Sequence, residues 1–132
     1  MKTDRFFDSN LILYWVSDDP AKAARSDALI MEGGVVSVQV LNEFTNVSRK
    51  KYKNPWPKVL SVLVLVRDCC TVVPVTLDIH ERGLQLAQAH QFQPYDAMIV
   101  AAAQLSGCTV LYSEDMHDGL SIGGLTIRNP YR

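Results

Sequence analysis

The chain has 132 residues, 48% of them hydrophobic and 20% charged, with a formal net charge of −1. That length suits one domain with its own core, and the composition excludes an intrinsically disordered chain. The near-zero charge gives no general attraction for nucleic acid, so any basic surface has to be local.

Taken in chain order, apolar strands alternate with helices. Phe6-Phe7 predicts a first strand, and Leu11 to Val16 a first helical turn. Ala21 to Met31 has helix-forming composition, ended by Gly33-Gly34. Val35-Val36 reads as a second strand, after which Ser37 can cap a helix running to about Lys51. Pro55 and Pro57 break the chain before Val59 to Val66, whose β-branched residues suit a strand but whose length and flanks favour a helix. Thr71 to Val75 predicts a strand and Leu77 to His90 a helix. Pro94 precedes a helix from about Tyr95 to Ser106, closed by Gly107. Thr109 to Tyr112 is a strand, and Leu125 to Ile127 a short last one. Alternating β and α implies a parallel sheet covered by helices on both faces. The helix from Tyr95 has no polar face over residues 97–103, so it is expected to be largely buried.

Cys69, Cys70 and Cys108 make a poor disulfide framework and no zinc-binding spacing. Free thiols in a reducing compartment are expected. The segment after Met1 carries Lys2, Asp4, Arg5 and Asp8 and lacks the apolar stretch of a signal peptide. The longest uncharged run, Ala97 to Ser113, is short of the ~20 apolar residues of a membrane helix. The expectation is a soluble cytoplasmic protein.

Four carboxylates occupy positions where solvent exposure is not the default. Asp8 directly follows the first strand, and Asp115 follows the strand ending at Tyr112. Ligand sites of open parallel sheets lie beyond the carboxyl ends of strands. Glu43 adjoins Phe44 and stands one helical turn from Val40 and Val47, beside the apolar stripe of its helix. Asp96 opens the buried helix, where an ordinary N-cap is the alternative. Convergence of such acids is costly, about 4 kcal/mol per close pair at an effective dielectric near 20. A cluster of this kind needs a cation or raised pKa values to persist. Oxygen ligands without a nearby Cys or His set point to Mg2+ or Mn2+. A carboxylate-held Mg2+ suits phosphodiester hydrolysis. No GxSxG, P-loop, GxGxxG or HExxH motif offers a competing chemistry, and His80, His90 and His117 are isolated.

At these residues the chain resembles the PIN-domain ribonucleases, in particular the VapC-type toxins of bacterial toxin–antitoxin pairs. "FFDSNLIL" resembles the opening strand with the first acid, Asp8, and "VSVQVLNEF" the strand–helix with the second, Glu43. "YDAMIVAAAQLSGCTVLYSED" resembles the helix and strand around the third acid, Asp96. "SEDMHDGLSIGGLTIRNPY" resembles the closing signature, with Ser113 and Asp115 in the usual polar and acidic places. The resemblance covers nearly the whole chain and implies a single PIN domain over residues 1–132. It implies an α/β fold, a three-layer α/β/α sandwich around a mainly parallel five-stranded sheet. It implies Mg2+- or Mn2+-dependent endoribonuclease activity, with transfer RNA a candidate substrate. It also implies a homodimer and a cognate VapB-type antitoxin. Asp8, Glu43, Asp96 and Asp115 are then the catalytic residues, with Asp8, Asp96 and Asp115 holding the metal. Glu43 and Asp118 are candidate further ligands, and Asn10 and Ser113 are supporting polar groups. Gly119 departs from the family, in which an aromatic residue is common at that place.

Arg49, Lys50, Lys51 and Lys53, with Lys58, surround Tyr52 and Trp56. The cations could hold RNA phosphates and the aromatics stack on unpaired bases. The alternative is a set of cations favoured by the dipole at a helix C-terminus. Leu11, Tyr14 and Trp15 are dense in apolar bulk and are either core or part of a groove for the antitoxin. Two further functions stay open at this point: a non-toxic PIN nuclease of RNA maturation, and a non-catalytic PIN-like binding module.

Overall fold

The computed structural model describes residues 2–132. In chain order it contains β1 (Arg5–Phe7), α1 (Ser9–Trp15), α2 (Pro20–Glu32), β2 (Val35–Ser37), α3 (Val38–Lys50), α4 (Trp56–Cys69), β3 (Thr71–Val73), α5 (Leu77–His90), α6 (Pro94–Leu105), β4 (Val110–Tyr112), β5 (Ser121–Ile122) and β6 (Leu125–Arg128). The sheet has six strands in the order β3-β2-β1-β4-β6-β5. β3, β2, β1, β4 and β6 pair in parallel, and β5 pairs antiparallel with β6. The expected five-stranded parallel sheet is therefore present, with a short antiparallel edge strand added. Gly123 and Gly124, at φ 53 and 84, make the tight turn between β5 and β6.

Sequence dictates most of these elements directly. Ser37 caps α3 through its hydroxyl, which accepts from the Val40 N–H. The ambiguous segment is helical: Val59, Val62 and Val66 of α4 share one buried face at i, i+3 and i+7. Pro57 does not break the chain. It sits in the first turn of α4, where a missing N–H costs no hydrogen bond. The strand expected to reach Val75 stops at Val73 because Pro74 has no N–H for the ladder. Ala97, Ile99 and residues 100–103 of α6 are buried, as its uniform apolarity predicts.

α1, α2, α3 and α4 pack among themselves, and α5 packs along α6, giving helical layers around the sheet. Two glycines permit close approaches. A Cβ on Gly34 would lie 2.5 Å from Phe7 Cε2, and one on Gly83 would lie 3.2 Å from Met98 Cα, where α5 meets α6. Phe6, Phe7, Phe44, Leu111 and Ile127 are fully buried at the centre.

Arg5 is the buried cation of this core. Its Nε donates to Gly33 O at 2.8 Å, Nη2 donates to Leu29 O, and Nη1 lies 3.0 Å from Glu32. It thus satisfies the carboxyl end of α2 from inside β1, where the helix dipole favours positive charge. Among the described residues no helix is long and apolar enough to cross a membrane.

Candidate active site

The strand order reverses between β1 and β4. The chain leaves β1 for β2 on one side and later returns to β4 on the other. A crevice opens at the carboxyl ends of strands flanking such a reversal. Asp8 directly follows β1 and Ser113 to Asp115 directly follow β4, so both acidic stations fall at that point. α3 leaves β2 from the same end of the sheet. α6 runs back toward the start of β4, so its first turn, with Asp96, also lies there. Topology thus brings Asp8, Asp96 and Asp115 to one end of the sheet, and the helical position of Glu43 on α3 adds the fourth acid.

Asp8 is almost fully buried, 3% exposed, and caps α1. Its Oδ1 accepts from the Ser9 N–H at 2.7 Å, and its Oδ2 accepts from the Ser113 hydroxyl at 2.7 Å. Burial pushes its carboxyl up to about 6, although the Ser113 and Ser9 hydrogen bonds oppose the rise; the charges of Asp96 and Asp115 add to it. Glu43, half-buried on α3, is pushed up to about 7 by burial first and by the charge of Asp8 next, with smaller contributions from Asp96 and Asp115. Gln39, one turn earlier, donates to Glu43 Oε1 at 3.4 Å. Asp96 is raised by burial and by Asp115. It is not the cap of α6: that helix begins at Pro94, with Gln93 at the cap position and Asp96 inside the first turn. The ordinary-cap alternative therefore falls away.

Asn10 and Ser113 hold these acids in place. Asn10 Nδ2 donates to Asp115 Oδ2 at 3.2 Å, and its Oδ1 accepts from the Glu114 N–H at 3.4 Å. Ser113 Oγ also accepts from the Asp115 N–H at 3.3 Å. One hydroxyl therefore links the first acid to the loop that carries the last.

Asp118 stands outside this set. Its Oδ1 accepts from the Asn129 N–H at 2.7 Å, and its other oxygen lies 3.9 Å from Arg132. Its carboxylate ties down the carboxyl-terminal segment. Of the two readings open for Leu11, the structure gives core: its side chain is fully buried. Trp15 is partly buried and donates to Asp27 at 2.9 Å. Tyr14 is held by Glu114 and Lys22 and packs edge-on against Tyr131, ring centroids 5.0 Å apart. Trp56, Leu60, Val64 and Leu65 of α4 are among the exposed apolar residues, as are Leu77 and Tyr95.

The basic residues gather at the carboxyl end of α3. Arg49 packs over the Trp56 ring at 4.6 Å and donates to Asn54 O at 3.0 Å. Lys50 and Lys51 are exposed, and Lys51 lies 5.4 Å from the centre of the Tyr52 ring. Lys53 takes a left-handed turn conformation, φ 53.

Sequence reasoning missed one group. Glu114 accepts from Tyr14 Oη at 2.6 Å and pairs with Lys22 at 2.8 Å. Burial would raise its carboxyl, but the hydrogen bonds from Lys22 and Tyr14 outweigh that and lower it. Between Ser113 and Asp115, Glu114 reads as one more acid of a loop. Only the meeting of α1, α2 and the β4 end reveals its two partners.

As a donor set the acids are all-oxygen and mutually repelling, which fits a hard divalent cation. In the present arrangement, however, no three His, Cys, Asp or Glu side chains among the described residues are gathered tightly enough to hold one ion.

The model of the PIN domain matches residues 5–117, and the chain belongs to that family. No curated protein matches it in sequence. Solved structures share the fold. A toxin–antitoxin complex from Klebsiella pneumoniae aligns with TM-score 0.72 and 24% identity over 96% of this chain and 98% of that one. VapC20 of Mycobacterium tuberculosis, described as a sarcin–ricin loop cleaving toxin, aligns with TM-score 0.70 and 17% identity over 84% of this chain and 89% of that one. VapBC2 of Rickettsia felis, solved on a DNA fragment from its promoter, aligns with TM-score 0.70 and 16% identity over 97% and 98%.

Proposed function

We propose that this chain is a metal-dependent endoribonuclease acting as the toxin of a toxin–antitoxin pair. One observation carries the reading. Asp8, Glu43 and Asp96 stand near the reversal of strand order with raised carboxyls, and the charge of Asp115 contributes to each rise. An acid cluster raised in this way is unfavourable by itself and is relieved by a cation. Asp8, Asp96 and Asp115 would hold Mg2+ or Mn2+, whose charge would supply electrophilic assistance to phosphodiester hydrolysis.

The chain's own groups divide the remaining work. Asp8 is fixed by Ser113 and by the start of α1, so little reorganisation is needed when it charges. Asn10 orients Asp115. Glu43, with a carboxyl near 7, can take up or release a proton at neutral pH.

The toxin role rests on the family and on the toxin–antitoxin assemblies among the structural relatives. It calls for a VapB-type inhibitor, a homodimer and a cytoplasmic setting. RNA is the proposed substrate, with transfer RNA and the sarcin–ricin loop named for VapC20 the first to assay. The test is induced expression of wild type and of Asp96→Asn, followed by sequencing of RNA 5′ ends. New ends and growth arrest with wild type alone are expected. Harmless expression of folded, active wild-type protein would move the assignment to RNA maturation.

A further inference from the structure

Two shallow depressions run along the exposed side of α3. The first, about 470 Å3, takes apolar lining from Val38, Val75, Tyr95 and Met98. Its polar lining includes Glu43 and the carboxamides of Asn42 and Asn46. The second, about 420 Å3, again includes Asn42 and Asn46 and ends at Arg49, Lys50 and Trp56. The shared asparagines make the two continuous. One trough therefore passes a member of the acid cluster, Glu43, and ends about two helical turns later at cations.

Its chemistry is specific. Tyr95 is 69% exposed, yet its position is fixed: Gln39 Nε2 donates to Tyr95 O at 2.8 Å, fastening the start of α6 to α3. The side chains of Asn42 and Asn46, one turn apart, are exposed and make no hydrogen bond among the described residues, so their donors and acceptors are free for a ligand. An exposed ring beside free carboxamides is what an unpaired base uses, stacking on the first and bonding through its edge to the second. Arg49 and Lys50 then stand where the next phosphates of such a strand would pass.

The geometry points to the exposed face of α3, from Gln39 to Lys50, as the track of single-stranded RNA beside the cleaved bond, with a nucleobase seated between Tyr95 and the Asn42–Asn46 carboxamides. This rests on the ribonuclease reading of the acid cluster and deepens it. It also divides the basic residues. Arg49 and Lys50 belong to the track, whereas Lys51 faces a separate cleft with Tyr52, Asn10 and Asp115.

The experiment uses a short single-stranded RNA carrying 2-aminopurine, bound in EDTA so that it is not cut, with cleavage in Mn2+ measured alongside. Tyr95→Ala is expected to lower affinity about tenfold and to abolish stacking-dependent quenching, and Tyr95→Phe to restore both. Asn42→Ala with Asn46→Ala is expected to erase discrimination among the four bases. Arg49→Ala with Lys50→Ala is expected to flatten the salt dependence of binding. Arg67→Ala, which removes a cation from the far part of α4, is expected to leave affinity unchanged.

Wild-type affinity and quenching in Tyr95→Ala, with wild-type protein cleaving RNA, would overturn the track and leave the nuclease standing. Unchanged RNA affinity together with conversion of a dimer to a monomer in sedimentation would assign the face to a second copy and also overturn it. Wild-type protein that neither binds nor cleaves RNA would overturn the ribonuclease reading, and the track with it.

Discussion

The Ser113 hydroxyl donates to Asp8 Oδ2 at 2.7 Å across a sequence separation of 105 residues, with both side chains buried. It joins the ends of two neighbouring strands and is the largest influence holding the Asp8 carboxyl down against burial. Ser113→Ala should push that carboxyl further up, because the charged form loses its best donor. The acid limb of the activity profile should move to higher pH, with a smaller effect above the shifted limb. Profiles of kcat/KM for the two proteins check this; coincident acid limbs would remove Ser113 from its role.

Asp8→Asn, Asp96→Asn and Asp115→Asn each keep side-chain volume and remove one negative charge. Each should cut RNA cleavage by several orders of magnitude while the fold survives. In EDTA their melting temperatures should match or exceed wild type, since like-charge repulsion falls. Cleavage assays paired with thermal melts separate lost chemistry from lost fold.

Asp8 and Glu43 have folded carboxyls near 6 and 7, above their ordinary values of 3.8 and 4.5. Between those limits the folded chain binds more protons than the unfolded one. Metal-free stability should therefore fall as pH rises from about 4 to about 7. Glu32 and Glu114, whose carboxyls are lowered, act in the opposite sense only in more acidic solution. Melting in EDTA should be several degrees higher at pH 5 than at pH 8, with a flatter profile in Asp8→Asn. Added Mn2+ should stabilise more at pH 8, where the ligands are ionised.

Glu114 is braced by Tyr14 and Lys22, whose ammonium lies 4.2 Å from the Tyr14 ring centre. The brace holds the peptide that leads into Asp115. Tyr14→Phe removes one hydrogen bond to a carboxylate and should cost about 1 kcal/mol of stability. It should lower kcat more than it raises KM, because it loosens a ligand-bearing loop and touches no RNA. Denaturation and steady-state kinetics together test this; a change confined to KM would contradict it.

Local signals made most of the fold legible. Ser37 announced the start of α3, and uniform apolarity announced the burial of α6. β6 was read as a last strand over Leu125 to Ile127, but β5 and its hairpin with β6 were not, although Gly123-Gly124 between short apolar runs is a turn signal; a two-residue strand is too short for its alternation to register. The acids were legible because strand ends and helix starts mark them without three-dimensional information. Pairings between distant segments were not: Asp118 to Asn129 and Glu114 to Lys22 each depend on contacts that no spacing encodes. The α3 trough was hidden for the same reason, since Tyr95 reaches it from another helix.

The most direct test of the central claim is RNA cleavage by purified protein as divalent metal is removed and restored. Labelled RNA should be cut in Mn2+ or Mg2+, left intact in excess EDTA, and cut again when Mn2+ is returned, with Asp96→Asn inert throughout. Full cleavage by wild-type protein in excess EDTA, with Asp96→Asn cutting equally well, would contradict the account.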